Sequence, residues 1–259
     1  MVMTQIHPTA VVDPAARLGN DVQIGPYCVV GPKAEIGDGT RLISHVVLQN
    51  HIRLGQRCEV HPFASLGGLT QDKKFKGGNP RVEIGDDTVI REYVTVNTAT
   101  YDGDATRVGS RVLLMAYAHV AHDCVVGDEV IMANAATLAG HIEVEPQAII
   151  GGLAAVHQFV RIGRLSIIGG MSRVIQDVPP FMMAADNPLR VASINVVGLQ
   201  RRGVSEETQK ILRKAHRVIY RENRTLQDAI AHMEQTWPEV PEIRQLVGFL
   251  KSASRGIAR

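Results

Sequence analysis

From Ile6 to Val174 an apolar side chain returns at every sixth residue, and that beat limits the chain to very few folds. Of the 29 positions in the frame, 26 are aliphatic or Met, and only Asp72, Gly78 and Asp102 break it. An α-helix repeats every 3.6 residues and a strand every two, so neither alone gives this period. One short strand per hexad, repeated along the chain, does. Two residues before the apolar position stands a small one: Ala10, Ala16, Cys28, Ala34, Cys58, Ala64, Ala118, Cys124, Ala136, Ala148, Ala154. The residue after it is often glycine, as at Gly19, Gly25, Gly37, Gly85 and Gly151. Large residues inside, small ones at corners and glycine where the backbone turns describe a narrow coiled sheet. The aromatic share of 4% agrees, because such a core has no room for large rings. Cys28, Cys58 and Cys124 all fall on the small interior position, so they read as buried thiols rather than disulfides.

This pattern resembles the hexapeptide-repeat family of left-handed parallel β-helices. The resemblance implies three hexads to a triangular turn and a left-handed sense, although parallel crossovers elsewhere are right-handed in nearly all proteins. The 26 intact hexads then make about nine turns. The frame is interrupted twice without losing phase, at residues 67–80 and 97–106, both polar. A loop expelled from a continuous sheet costs little and often carries function. Past Val178-Pro179-Pro180 the beat stops and helical spacing takes over, with apolar faces at Ile211/Leu212/Ala215, Leu226/Ala229/Ile230/Met233 and Ile243/Leu246/Val247/Leu250. Thr225 and Asp228 resemble a capping box. The spacing predicts a β-helix over residues 1–186 and an α-helical unit over 187–259. The first carries a net charge of −4 and the second +6. Lys210, Arg213, Lys214, Arg217 and Arg221 form a basic stripe, either a solvated face or a surface for an acidic partner. No apolar run reaches membrane-spanning length and no signal peptide is evident, so a cytoplasmic protein without membrane insertion or nucleic-acid binding is expected.

His119, His122, His141 and His157 lie close together in the chain, with Gln158 beside the last. With three hexads to a turn, His122, Gly140 and Gln158 share one column, and His141 and His157 flank it. Two chemistries use such a cluster. Neutral imidazoles bind zinc, as in the γ-class carbonic anhydrases on this fold. Alternatively His122, oriented by Asp123, acts as a general base, with the Gly140 N–H as oxyanion donor. The His122-Asp123 pair favours the base, with no metal.

The motifs Ala118-His-Val-Ala-His-Asp-Cys124, Leu138-Ala-Gly-His141, Val156-His-Gln-Phe159, Gln176-Asp-Val-Pro-Pro180 and Gly198-Leu-Gln-Arg-Arg-Gly203 resemble the UDP-N-acetylglucosamine O-acyltransferases. The loop Thr70-Gln-Asp-Lys-Lys-Phe-Lys-Gly77 and the tail Ser254-Arg-Gly256 agree, so the likeness covers essentially the whole chain. It implies transfer of a (R)-3-hydroxyacyl chain from acyl carrier protein to the sugar 3-hydroxyl, the first step of lipid A synthesis. No cofactor is implied beyond the carrier's phosphopantetheine thioester. It implies His122 as general base, Asp123 as its orienting carboxylate and Gly140 as oxyanion donor. Gln71, Asp72, Lys74, His119 and His141 are implied for the sugar and phosphates. His157, Gln158, Asn195, Arg201 and Arg202 are implied for the nucleotide or the phosphopantetheine. Without the resemblance, the start of a solvated helix is the lesser alternative for Arg201-Arg202. Gly170 falls where the family sets acyl length, and the family forms homotrimers with sites between prisms. Asn97-Thr98-Ala99 departs from the usual His-Arg-Gly, and Val197 stands where an acidic residue is common. An N-acyltransferase using a 3-amino UDP-sugar is the neighbouring alternative.

Overall fold

The computed structural model describes residues 4–259. Its repeating part is a left-handed parallel β-helix with three faces. Face 1 begins with Gln5–Ile6, face 2 with Val11–Val12 and face 3 with Arg17–Leu18, and each later strand joins the face three strands back. Register is set by the hexad beat. Ile6 pairs with Ile24 and Ile24 with Leu42, so each rung stacks its apolar residue on the same position of the next. Leu42, Leu66, Leu114 and Leu138 are fully buried along the prism axis. Successive rungs stand three hexads apart in sequence except where a loop leaves the coil. Face 1 skips from Val60 to Ile90 across the first loop, and face 2 from Val96 to Val120 across the second. The first skip adds two whole hexads and the second adds one, which is why phase survives.

Both loops leave between faces 2 and 3. The first lies between Ser65–Gly68 and Arg81–Ile84, the second between Thr95–Asn97 and Ala105–Val108. The glycines need a corrected reason. Gly25 and Gly37 do not adopt the left-handed conformation; a Cβ on Gly25 would lie 1.8 Å from the Ile43 carbonyl oxygen, and one on Gly37 2.6 Å from the Gly55 carbonyl carbon. They are glycine because the next rung passes too close, whereas the left-handed turn positions are filled mostly by other residues, Asp123 and His141 among them. That geometry recurs in every turn, so it marks the coil and not a site.

Many of the aromatic rings stand outside the prism. Tyr27, His45, Phe63, Tyr93 and Tyr117 stack along the edge between faces 1 and 2 at centroid spacings of 4.8–5.0 Å. Leu153 and Met171 continue this edge and are also exposed. The three cysteines are buried and free, and burial pushes Cys124 up to about 12.

The coil ends in a return that the sequence pattern did not foretell. Met182–Ala185 joins face 1, and Arg190–Ile194 pairs with it antiparallel. The helices that follow are α1 (Val196–Arg201), α2 (Glu206–Tyr220), α3 (Leu226–Thr236) and α4 (Pro241–Ser252). Thr225 caps α3 by accepting from the Asp228 N–H at 3.1 Å, as the capping-box spacing requires. Arg161 fastens α4 to the coil, its guanidinium 4.6 Å over the Phe249 ring and 2.7 Å from the Ser252 hydroxyl. The basic stripe on α2 is exposed throughout.

Candidate active site

The edge between faces 2 and 3 gathers the histidines. Strand His119–Val120 lies on face 2, and the chain then turns through Asp123, which has a positive φ of 60°. His122 Nδ1 lies 2.7 Å from Asp123 Oδ2. One rung on, His141 takes the same corner position, with Nε2 3.5 Å from Asp123 Oδ2 and its ring edge-on to His122 at 5.2 Å. Phe159, a further rung on, stacks on His141 at 4.7 Å.

Gly140 fits this arrangement closely. The His122 ring lies against it, and an added Cβ would meet Cε1 at 2.2 Å and Nε2 at 2.5 Å. The Gly140 carbonyl accepts from the Phe159 N–H at 3.2 Å, while its own N–H has no protein acceptor among the described residues. An amide free to donate beside a base is what an oxyanion requires.

Burial is the largest influence on Asp123 and would raise its carboxyl. The Thr100 hydroxyl, the His122 ring, the Thr100 N–H and the charge of His141 together outweigh it, so the group sits below the usual aspartate value. His119 is held below the usual histidine value, by burial first and by His122 second. Its Nδ1 lies 2.7 Å from the Thr95 hydroxyl.

The first expelled loop folds over this edge. Asp72 is half-buried and offers an oxygen to the same space as His122 and His141, their nearest ligating atoms all within 4.8 Å of one another. A divalent cation could be held by these three groups, His122 offering Nε2 because its Nδ1 faces Asp123. Gln71 and Lys74 are exposed on the same loop, and the Lys74 N–H donates to Asp72 Oδ1 at 2.9 Å. His157 and Gln158 are exposed one rung beyond Gly140.

The remaining expected residues stand elsewhere in the chain. Gly170 is exposed on the edge between faces 1 and 2, beside Met171. Asn195 is buried as the N-cap of α1, accepting from the Gly198 N–H at 3.0 Å and donating to the Leu165 carbonyl at 2.9 Å. Arg201 and Arg202 close α1 instead of opening a helix, which corrects the alternative reading of that pair. Arg202 is ion-paired to Glu129 on the edge between faces 3 and 1. Asn97 proves structural, its amide donating 3.0 Å to the Leu69 carbonyl and 3.4 Å to that of Gly68 to anchor the first loop. Val197 is exposed.

Sequence reasoning passed over three threonines. Thr100 donates to Asp123 through both its N–H (2.9 Å) and its hydroxyl (2.6 Å), and the Asp123 N–H donates to Thr106 at 2.8 Å. Thr70 lies 3.1 Å from Thr100, oxygen to oxygen. A half-buried carboxylate must find donors, and the loops flanking it were the place to look.

The chain is similar to several known proteins. A family model described as UDP N-acetylglucosamine O-acyltransferase, domain 2, matches residues 177–258. One described as bacterial transferase hexapeptide (six repeats) matches residues 15–48 and 105–140. A protein of Thermodesulfovibrio yellowstonii named acyl-[acyl-carrier-protein]–UDP-N-acetylglucosamine O-acyltransferase is 48% identical over 99% of this chain and all of its own length. One of the same name from Sulfurihydrogenibium is 50% identical over 99% of this chain and 95% of its own. Among solved structures, LpxA of Acinetobacter baumannii superposes with a TM-score of 0.95 at 43% identity, covering 98% of this chain and 99% of that one. The LpxA described as a UDP-N-acetylglucosamine acyltransferase of Bacteroides fragilis gives 0.97 at 36% identity, covering 98% and all of its own length.

Proposed function

This chain belongs to the UDP-N-acetylglucosamine O-acyltransferase family, and on that premise we propose how its own residues carry the reaction. The enzyme moves a (R)-3-hydroxyacyl chain from acyl carrier protein to the 3-hydroxyl of UDP-N-acetylglucosamine, the first step of lipid A biosynthesis. His122 Nε2 takes the proton of the 3-hydroxyl as its oxygen attacks the thioester carbon. The carbonyl oxygen becomes an oxyanion and accepts from the Gly140 N–H. The C–S bond then breaks, and the phosphopantetheine sulfur leaves with the proton that His122 returns. The single observation behind this reading is the Asp123–His122 pair 2.7 Å apart, its ring packed against the Gly140 Cα. A positioned base contributes about 10²–10⁴-fold and an oxyanion donor about 10²–10³-fold.

Gln71, Asp72, Lys74, His119 and His141 hold the sugar and phosphates in this scheme. His157, Gln158, Asn195, Arg201 and Arg202 serve the nucleotide or the phosphopantetheine, and Gly170 leaves room for a long acyl chain. We divide the molecule into coil (1–186) and helical unit (187–259), with the exposed basic stripe on α2 receiving the acidic carrier. The working form is a cytoplasmic homotrimer. Its support is spatial: the His122 group, Gly170 and the Arg202 group stand on three different edges of one prism. One site can combine them only between copies. The bare aromatic ladder on the Gly170 edge also calls for a covering surface.

The test is mass spectrometry of products from UDP-N-acetylglucosamine and a panel of 3-hydroxyacyl carriers. The expected product gains one 3-hydroxyacyl ester. Acylation of only a 3-amino analogue would instead assign the amide-forming reaction. The Asp72, His122 and His141 cluster favours a second reading, a zinc lyase. Full transfer after exhaustive chelation, with no metal found in the protein, rejects it.

A further inference from the structure

The proton-accepting pair is backed by an ordered chain of donors that no role given above uses. Asp123 is ionised and can only accept, so the hydroxyl 2.6 Å from its Oδ2 must belong to Thr100 as donor. Having spent its proton there, Thr100 Oγ1 can only accept from the Thr70 hydroxyl at 3.1 Å. Thr70 Oγ1 in turn accepts from the Asp72 N–H at 3.1 Å. Every donation therefore points the same way, from the first expelled loop through the second to the carboxylate. Thr100 Oγ1 also lies 3.1 Å from His122 Nδ1, and both of that atom's neighbours, Asp123 Oδ2 and Thr100 Oγ1, act as acceptors towards it. The proton of neutral His122 is thus confined to Nδ1, leaving the Nε2 lone pair for substrate.

We propose that Thr100, backed by Thr70, is a positioning residue that fixes the reactive tautomer of His122 and ties it to the loop bearing Asp72 and Lys74. The inference rests on His122 being the base. It adds that the base is set by a hydroxyl delivered from an expelled loop. Both threonines come from segments outside the hexad frame, and Thr100 is essentially sealed from solvent. A hydroxyl there has no gain from hydration, so its worth lies in these bonds. The backbone N–H of Thr100 also holds Asp123, so removing the hydroxyl alone leaves the carboxylate in place but free to turn.

Thr100→Val keeps shape and N–H and loses the hydroxyl, and Thr100→Ser keeps it. We expect Thr100→Val to lower kcat about 10–100-fold, the worth of one hydrogen bond to a charged group, with little change in either KM. Thr100→Ser should restore most of the loss. Thr70→Val, one link back, should lose less. Independently of turnover, ¹⁵N spectra of the unsubstituted protein should show His122 protonated on Nδ1 and bare on Nε2. The inference is overturned if Nε2–H predominates. It is also overturned if Thr100→Val keeps kcat within about twofold of the unsubstituted enzyme while His122→Ala is inactive. An active His122→Ala would instead remove the base assignment itself.

Discussion

Gly140→Ala isolates the geometry of the base from its chemistry. The substitution keeps the N–H that would stabilise the oxyanion, and Gly140 does not occupy the left-handed region, so alanine brings no backbone strain. What it brings is a methyl group 2.2 Å from His122 Cε1. Ordinary contact begins near 3.4 Å, so the ring must retreat by about 1.2 Å. Behind it stands Asp123 at 2.7 Å and Thr100 at 3.1 Å, and a shift of that size breaks or reorients both bonds. Misplacement of a catalytic group by about 1 Å is worth roughly 100-fold in rate, or about 2.7 kcal/mol of barrier. We therefore expect kcat for Gly140→Ala to fall at least about 100-fold. The melting temperature and far-ultraviolet circular dichroism should stay close to those of the unsubstituted protein. The assay is transfer of radiolabelled 3-hydroxyacyl chains from acyl carrier protein at saturating sugar nucleotide. If Gly140→Ala retains more than about a tenth of the activity, His122 does not need its observed position, and the acid–base reading fails.

Reversing Lys210, Arg213 and Lys214 on α2 together should raise KM for acyl carrier protein about tenfold at low ionic strength and leave KM for the sugar nucleotide unchanged, the gap closing at high salt; an unchanged carrier KM would make the stripe a solvated face. The depressed His119 gives a stability prediction. The fold holds this ring neutral, so the unfolded chain binds more protons just below about pH 6.5, and stability is present above that pH and falls as pH drops through it. Thermal melts across the neutral to mildly acid range should fall less steeply for His119→Gln than for the unsubstituted protein, and equal slopes would refute the assignment.

Much of this protein is written in one dimension. Strands too short to stand alone must repeat to bury anything, so the beat from Ile6 to Val174 dictated a coiled sheet with a core of aliphatic residues, while the three hexads per turn that set its register came with the family resemblance. Because each rung lies directly on the last, residues three hexads apart become neighbours, and the column of His122, Gly140 and Gln158 could be read by counting. The helical faces and the Thr225 cap were legible for a similar reason, being local. What the beat could not carry was anything outside its phase. The expelled loops obey no period, so only tertiary structure brought Asp72 to His122, placed Thr70 against Thr100, and made Asn97 an anchor. The antiparallel return of Arg190–Ile194 lay beyond the repeat, and with it the burial of Asn195 and the pairing of Arg202 to Glu129. Even Gly25 and Gly37 are glycine because of the neighbouring rung's closeness and not because of their own dihedral angles. A periodic sequence fixes contacts at its own period, and every aperiodic contact waits for the folded chain to supply the partner.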